Sequence, residues 1–259
     1  ADMIASATYQ ASFEGFGKEG ITKEKATHLM KLGVTLATQA RDSFWEDSTN
    51  REGRLRPLVA ASIGPYGACL ADGSEYRGDY GLSKDQLMDF HRSRVQVFAS
   101  SGADFLAFET IPSLLEAEAI IDLLAEFAEV TAMISFSCKD DLHVSHGELF
   151  ADCVDLASAS GQIIAIGVNC TAPRHLVSLL QSAGPTNKPL AVYPNSGEQW
   201  VASEHRWSGE TGDPMDAASW FDAGARIIGG CCRTTPAEIR QMREELLIHT
   251  EKENHSDKF

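Results

Sequence analysis

The chain has 259 residues, 43% of them hydrophobic, enough to bury the core of one α/β domain. Its 22 basic and 37 acidic side chains leave a formal charge of −15, which argues against a nucleic-acid partner, since phosphate binding needs a basic surface. No run approaches the ~18 consecutive apolar residues of a membrane helix, and Ala1-Asp2-Met3-Ile4 has none of the regions of a secretory signal.

Short apolar runs of strand character alternate with amphipathic helical patterns along the whole chain. Strands are expected at 3–7, 58–63, 105–108, 132–136, 163–168, 190–193 and 226–228. Helices are expected at 23–45, 84–100, 114–127, 149–158, 174–182, 217–223 and from 236 to about 248. Thr22 and Ser83 read as helix caps, and Thr235 precedes Pro236 at a first helical position. The polar stretch 201–216, with His205 and Trp207, reads as a long loop in which His205 is an exposed histidine rather than a ligand. Residues 250–259 read as an unstructured tail after a domain spanning 1–249.

This alternation predicts parallel βαβ units. Each strand is followed by polar or glycine residues, which suits a (β/α)8 TIM-type barrel, where the site is built at the strand C-terminal ends. Only seven βα units are found, so strands 2–8 of such a barrel are expected, with the first unit missing and its edges open.

Three of the six cysteines fall at strand ends: Cys170 after the fifth strand, and Cys231 and Cys232 after the last, behind Gly229-Gly230. Three such thiols suit a soft metal with one position open, and zinc fits thiolates well. The residues alone also allow an inert buried cluster or a redox pair. Cys69, in a loop, Cys138, ending a strand, and Cys153, on an apolar helical face, read as structural. Cysteines without a secretory signal fit a reducing cytoplasm.

Gly167-Val168-Asn169-Cys170 and the run Gly229 to Pro236 resemble the homocysteine S-methyltransferase family. Gly64-Pro65-Tyr66-Gly67, the segment Asp72 to Tyr80, and Tyr193-Pro194-Asn195-Ser196-Gly197-Glu198 sharpen the match to the branch using S-methylmethionine or S-adenosylmethionine. The resemblance implies Zn2+ on Cys170, Cys231 and Cys232, with homocysteine sulfur entering the fourth position and no further catalytic residue. It implies that Glu109 holds the substrate's amino group, with Asn169, Thr8 and Tyr9 shaping the pocket and Tyr66, Tyr76, Glu75 and Asp79 near a sulfonium donor. The Asp-Gly pair usual on the family's first strand has no match, so an impaired or non-catalytic zinc-retaining form is the alternative expectation. Selenocysteine remains a conceivable acceptor, and the partners are small molecules.

Overall fold

The computed structural model describes residues 1–204, 206–209 and 212–256. His205 lies outside them. Seven parallel strands form one sheet: β1 (Met3–Ala5), β2 (Leu58–Ile63), β3 (Phe105–Ile111), β4 (Ala132–Phe136), β5 (Ile163–Asn169), β6 (Leu190–Tyr193) and β9 (Ala225–Ile228). They pair in chain order, so β1 and β9 are the two edges. The expected open, barrel-type sheet of seven strands is what forms.

Alternation along the strands divides the protein into two apolar regions. Val59, Ala61, Ile63, Leu106, Phe108, Ile134, Ile166, Val168 and Val192 face outward and pack beneath the helices in the main core. The opposite face carries Ala60, Phe105, Ala107, Met133, Ala165 and Ala191, a second and smaller cluster inside the curl of the sheet. Continuing the same period toward the strand ends puts Ser62, Glu109, Ser135, Asn169 and Tyr193 on this inner face. The fold therefore sends polar groups to one rim.

The helices are α1 (Phe13–Lys18), α2 (Lys23–Glu46), α3 (Tyr66–Leu70), α4 (Lys84–Phe98), α5 (Leu114–Leu124), α6 (Phe150–Ser158), α7 (Leu176–Ser182), α8 (Ala217–Asp222) and α9 (Pro236–Ser256). Thr22 caps α2, and Ser83 with Gln86 forms a full capping box on α4. No helix among the described residues is long and apolar enough to cross a membrane.

Several boundaries differ from the sequence-based expectation for local reasons. β1 stops at Ala5 because Ser6 and Thr8 turn the chain, with Thr8 N–H donating to Ser6 O at 2.9 Å. β3 runs on to Ile111 across a register shift after Phe108. The stretch read as a loop contains an antiparallel hairpin, β7 (Gln199–Val201) with β8 (Arg206–Ser208). Helix α9 continues past Ile248 to Ser256, taking in residues expected to begin a tail.

A buried polar group lies between the helices and the rim. His91 of α4 is fully buried, its Nε2 2.9 Å from Glu116 Oε1, which also accepts from Tyr66 N–H at 2.7 Å. Burial pushes the imidazole below its ordinary value of 6.5, opposed by Glu116 and reinforced by Arg94. The fold therefore prefers neutral His91, and the unfolded chain takes up its proton first. That stabilisation is complete above about pH 6.5 and is lost as the pH falls toward the lower folded value. Urea unfolding of His91→Gln should show a shallower loss of stability between pH 7.5 and 5.5 than the parent. Equal slopes would exclude His91 as the cause.

Candidate metal centre and substrate site

The thiols converge because both segments that carry them hang from the end of β6. Cys170 N–H donates to Tyr193 O at 3.2 Å, and Cys231 N–H donates to Pro194 O at 2.8 Å. Strand β6 pairs with β5 on one side and β9 on the other, so residues 61 positions apart become neighbours. The turn into Cys231 requires glycine at only one of its two positions. A Cβ on Gly230 would lie 2.2 Å from Thr234 Cγ2, whereas one on Gly229 would make an ordinary 3.6 Å contact with Tyr193.

The Sγ atoms of Cys170 and Cys231 are 3.1 Å apart, those of Cys170 and Cys232 3.4 Å, and those of Cys231 and Cys232 3.9 Å. A disulfide would need about 2.05 Å, so all three are free thiols. Thiolates held at ~2.3 Å from a tetrahedral zinc are spaced about 3.8 Å apart, close to this triangle. Chemistry and spacing both fit a soft cation. They are the described Cys, His, Asp and Glu side chains that cluster tightly enough to hold one.

The triangle shares its protons unequally. Donation to Cys231 and Cys232, with burial, raises the Cys170 thiol. Cys231 gains acidity from Cys170 but loses more by donating to Cys232 and by burial, and is pushed up to about 12. Cys232 accepts from both neighbours and is held down to about 4. The acidity of the set is thus concentrated on Cys232.

Strained backbone concentrates at this rim. Four described non-glycine residues have positive φ, and three of them are Thr110 at 63°, Cys170 at 49° and Arg233 at 68°. For a β-branched residue such as Thr110 this is a genuine outlier, and such strain gathers at functional sites. Asn169 ties one of these points to the thiols. Its Oδ1 accepts from Thr110 N–H at 2.7 Å, and its Nδ2 donates to Thr110 Oγ1 at 2.8 Å and reaches Cys231 Sγ at 3.8 Å. Tyr76 donates its hydroxyl to Cys170 Sγ at 3.5 Å.

Glu109 sits deep on the inner face with some surface left toward the mouth. Desolvation raises its carboxyl to about 7, the donated hydrogen bonds of Ser62 and Tyr193 opposing this. Ser135 in turn hydrogen-bonds the Tyr193 hydroxyl. Ser62, Ser135 and Tyr193 were not singled out from the sequence, although the same two-residue period that places Glu109 would have found them.

The remaining expected residues divide. Tyr9 joins the centre through its hydrogen bond to Thr110. Buried Arg94 fixes it by donating to Tyr9 O at 2.9 Å, Ala11 O at 2.9 Å and Gly64 O at 2.7 Å. Thr8 is buried, its hydroxyl taken up by Ser6 Oγ and Ser62 O, each at 2.7 Å. It braces the loop after β1. Tyr66 packs edge-on against Tyr80 and Phe90, and Asp79 is exposed. Glu75 is buried, and one carboxylate oxygen has no hydrogen-bond partner. Cys69 lies in α3 instead of a loop, while Cys138 and Cys153 are buried as expected.

A cavity of about 450 Å³ adjoins the thiols, with Cys170, Tyr76, Asp72, Glu198, Trp200 and Trp207 in its wall. Parallel strands with reactive groups at their C-terminal ends define an α/β enzyme of the TIM-barrel type. Residues 1–246 match the family model for homocysteine S-methyltransferase. "Homocysteine S-methyltransferase YbgG" of Bacillus subtilis is 49% identical over 93% of this chain and 78% of its own length. "Selenocysteine Se-methyltransferase" of Brassica oleracea is 44% identical over 95% of this chain and 75% of its own. A crystal structure of the homocysteine methyltransferase MmuM from Escherichia coli, in its metallated form, superposes with a TM-score of 0.83. It is 40% identical, over 95% of this chain and 80% of that one. The chain belongs to the homocysteine S-methyltransferase family.

Proposed function

We propose that this protein uses zinc to transfer a methyl group from a sulfonium donor, S-methylmethionine or S-adenosylmethionine, to the thiol of L-homocysteine, giving methionine. The observation that carries this reading is the triangle of Cys170, Cys231 and Cys232, spaced 3.1–3.9 Å at the strand-end rim. When bound there, zinc supplies a Lewis acid that keeps the acceptor sulfur deprotonated at neutral pH.

The chain's own groups do the rest. Asn169 and Tyr76 donate hydrogen bonds toward the thiolate sulfurs, fixing their orientation and moderating their charge. Glu109 holds the acceptor's ammonium group, and Ser62 and Tyr193 aim its carboxylate. The acceptor sulfur forms a bond to the methyl carbon as the bond to the donor sulfur breaks. The departing electron pair neutralises the sulfonium, so the donor leaves as a thioether, and the acceptor's thiol proton goes to solvent. With S-methylmethionine both products are methionine. Alignment of sulfur, methyl and leaving sulfur is the protein's main contribution, and such positioning is worth several kcal/mol.

Six free cysteines support a reducing, cytoplasmic setting, and the charge of −15 disfavours a nucleic-acid partner. Assays with methyl-labelled donors and homocysteine test the reaction. Label should reach methionine from S-methylmethionine or S-adenosylmethionine, with one zinc per chain. Efficient transfer from betaine, or a requirement for added cobalamin, would overturn the donor assignment.

A further inference from the structure

The cavity beside the thiols does not share its wall with the groups around Glu109. Cys170 and Tyr76 border it, but Glu109, Ser62 and Tyr193 do not. Cys170 thus belongs both to the thiol triangle and to the cavity wall, whereas Glu109 lies outside that wall. Displacement at a methyl carbon needs the nucleophile and leaving group on opposite sides of that carbon. An acceptor anchored at Glu109 attacks productively only a methyl group presented from another direction, and the cavity offers one.

The wall of that space suits a cation. Trp200 and Trp207 face each other across the β7–β8 hairpin, with ring centroids 5.6 Å apart. Asp72 and Glu198 add carboxylates beside Arg77 and Arg233, and Lys139 on the same wall supplies positive charge for a donor carboxylate, Arg174 being paired with Asp213 at 2.7 Å. Aromatic faces attract onium groups, most strongly where water is excluded.

The hairpin is also registered to the metal centre. Glu198, just before β7, accepts from Arg233 Nε at 3.0 Å, and Arg233 follows Cys232 directly. Across the cavity, Gly73 (φ +82°) comes so near that a Cβ there would lie 3.1 Å from Ala202 Cβ, between β7 and β8. The loop after β2 and the hairpin thus meet over the cavity.

We infer that this cavity is the methyl-donor site, taking a sulfonium α-amino acid, and that Trp200 and Trp207 are its specificity-determining wall. The inference rests on the methyl-transfer reading above. Steady-state kinetics on the zinc-loaded full chain test it. Trp207→Ala should raise the KM for S-methylmethionine about tenfold, as loss of a cation–π contact would. The KM for homocysteine and the zinc content should stay unchanged, and Trp207→Phe should retain most of the donor affinity. In the unaltered protein, S-methylmethionine added without homocysteine should change tryptophan emission.

An unchanged donor KM, or an equal rise in both KM values, would overturn the inference while leaving the reaction standing. Should Trp207→Ala fail to fold, the phenylalanine variant and the emission titration decide. No emission change at saturating donor then overturns it. A parent protein that uses no sulfonium donor would overturn both the reaction and this site.

Discussion

Cys231→Ser is expected to leave the purified protein with little or no zinc and to reduce methyl transfer to background. Serine is similar in size but offers a hard, protonated hydroxyl in place of a soft thiolate. Two thiolates would remain, at Cys170 and Cys232, 3.4 Å apart. Loss of even an outer hydrogen-bonding partner costs metal sites about 10–100-fold in affinity, so loss of a ligand should cost more. Chelator competition and metal analysis measure the affinity directly. The fold should survive, because Cys231 is only partly buried and its backbone N–H keeps its bond to Pro194 O. Unchanged zinc stoichiometry in a folded Cys231→Ser protein would remove the thiol triangle from consideration as the metal centre.

The triangle was legible in the sequence for a simple reason. Residues directly after an apolar parallel strand go to one rim, so three cysteines at two strand ends can be brought together without knowing the rest. The seven strands were legible too, since β2, β3, β5 and β6 each carry four consecutive apolar residues, β4 and β9 are apolar with one interruption, and only β1 is shorter. What escaped depends on features that carry no local pattern. The hairpin strands β7 and β8 have three residues each, too few to show alternation. Helices α1 and α3 have six and five residues, shorter than two turns of helical periodicity. The role of Asn169 depends on the register shift in β3 that presents the backbone N–H of Thr110, and no spacing rule reveals such a shift. Arg94 is a further case. A basic residue in an amphipathic helix reads as solvent-facing, yet it is fully buried and satisfied by three backbone carbonyls of two rim loops.

The second large effect is expected at Glu109. Glu109→Gln keeps the shape and one acceptor oxygen for Ser62 but cannot provide a counter-charge for the substrate ammonium. Loss of a charged hydrogen-bond partner costs ~1.5–3 kcal/mol, which is roughly 10–150-fold in the homocysteine KM. Zinc content should not change, because the carboxylate is not among the clustered thiols. The parent's carboxyl is pushed up to about 7 by desolvation, so acidification should protonate it and weaken binding of the ammonium. Homocysteine's own thiol also titrates, and methionine separates the two effects by carrying the amino group without an ionisable thiol. Methionine inhibition should therefore weaken as the pH falls below 7 in the parent and lose that dependence in Glu109→Gln. If the variant binds homocysteine and methionine as the parent does, Glu109 is a structural partner of Ser62 and Tyr193, and the ammonium is held elsewhere on the rim.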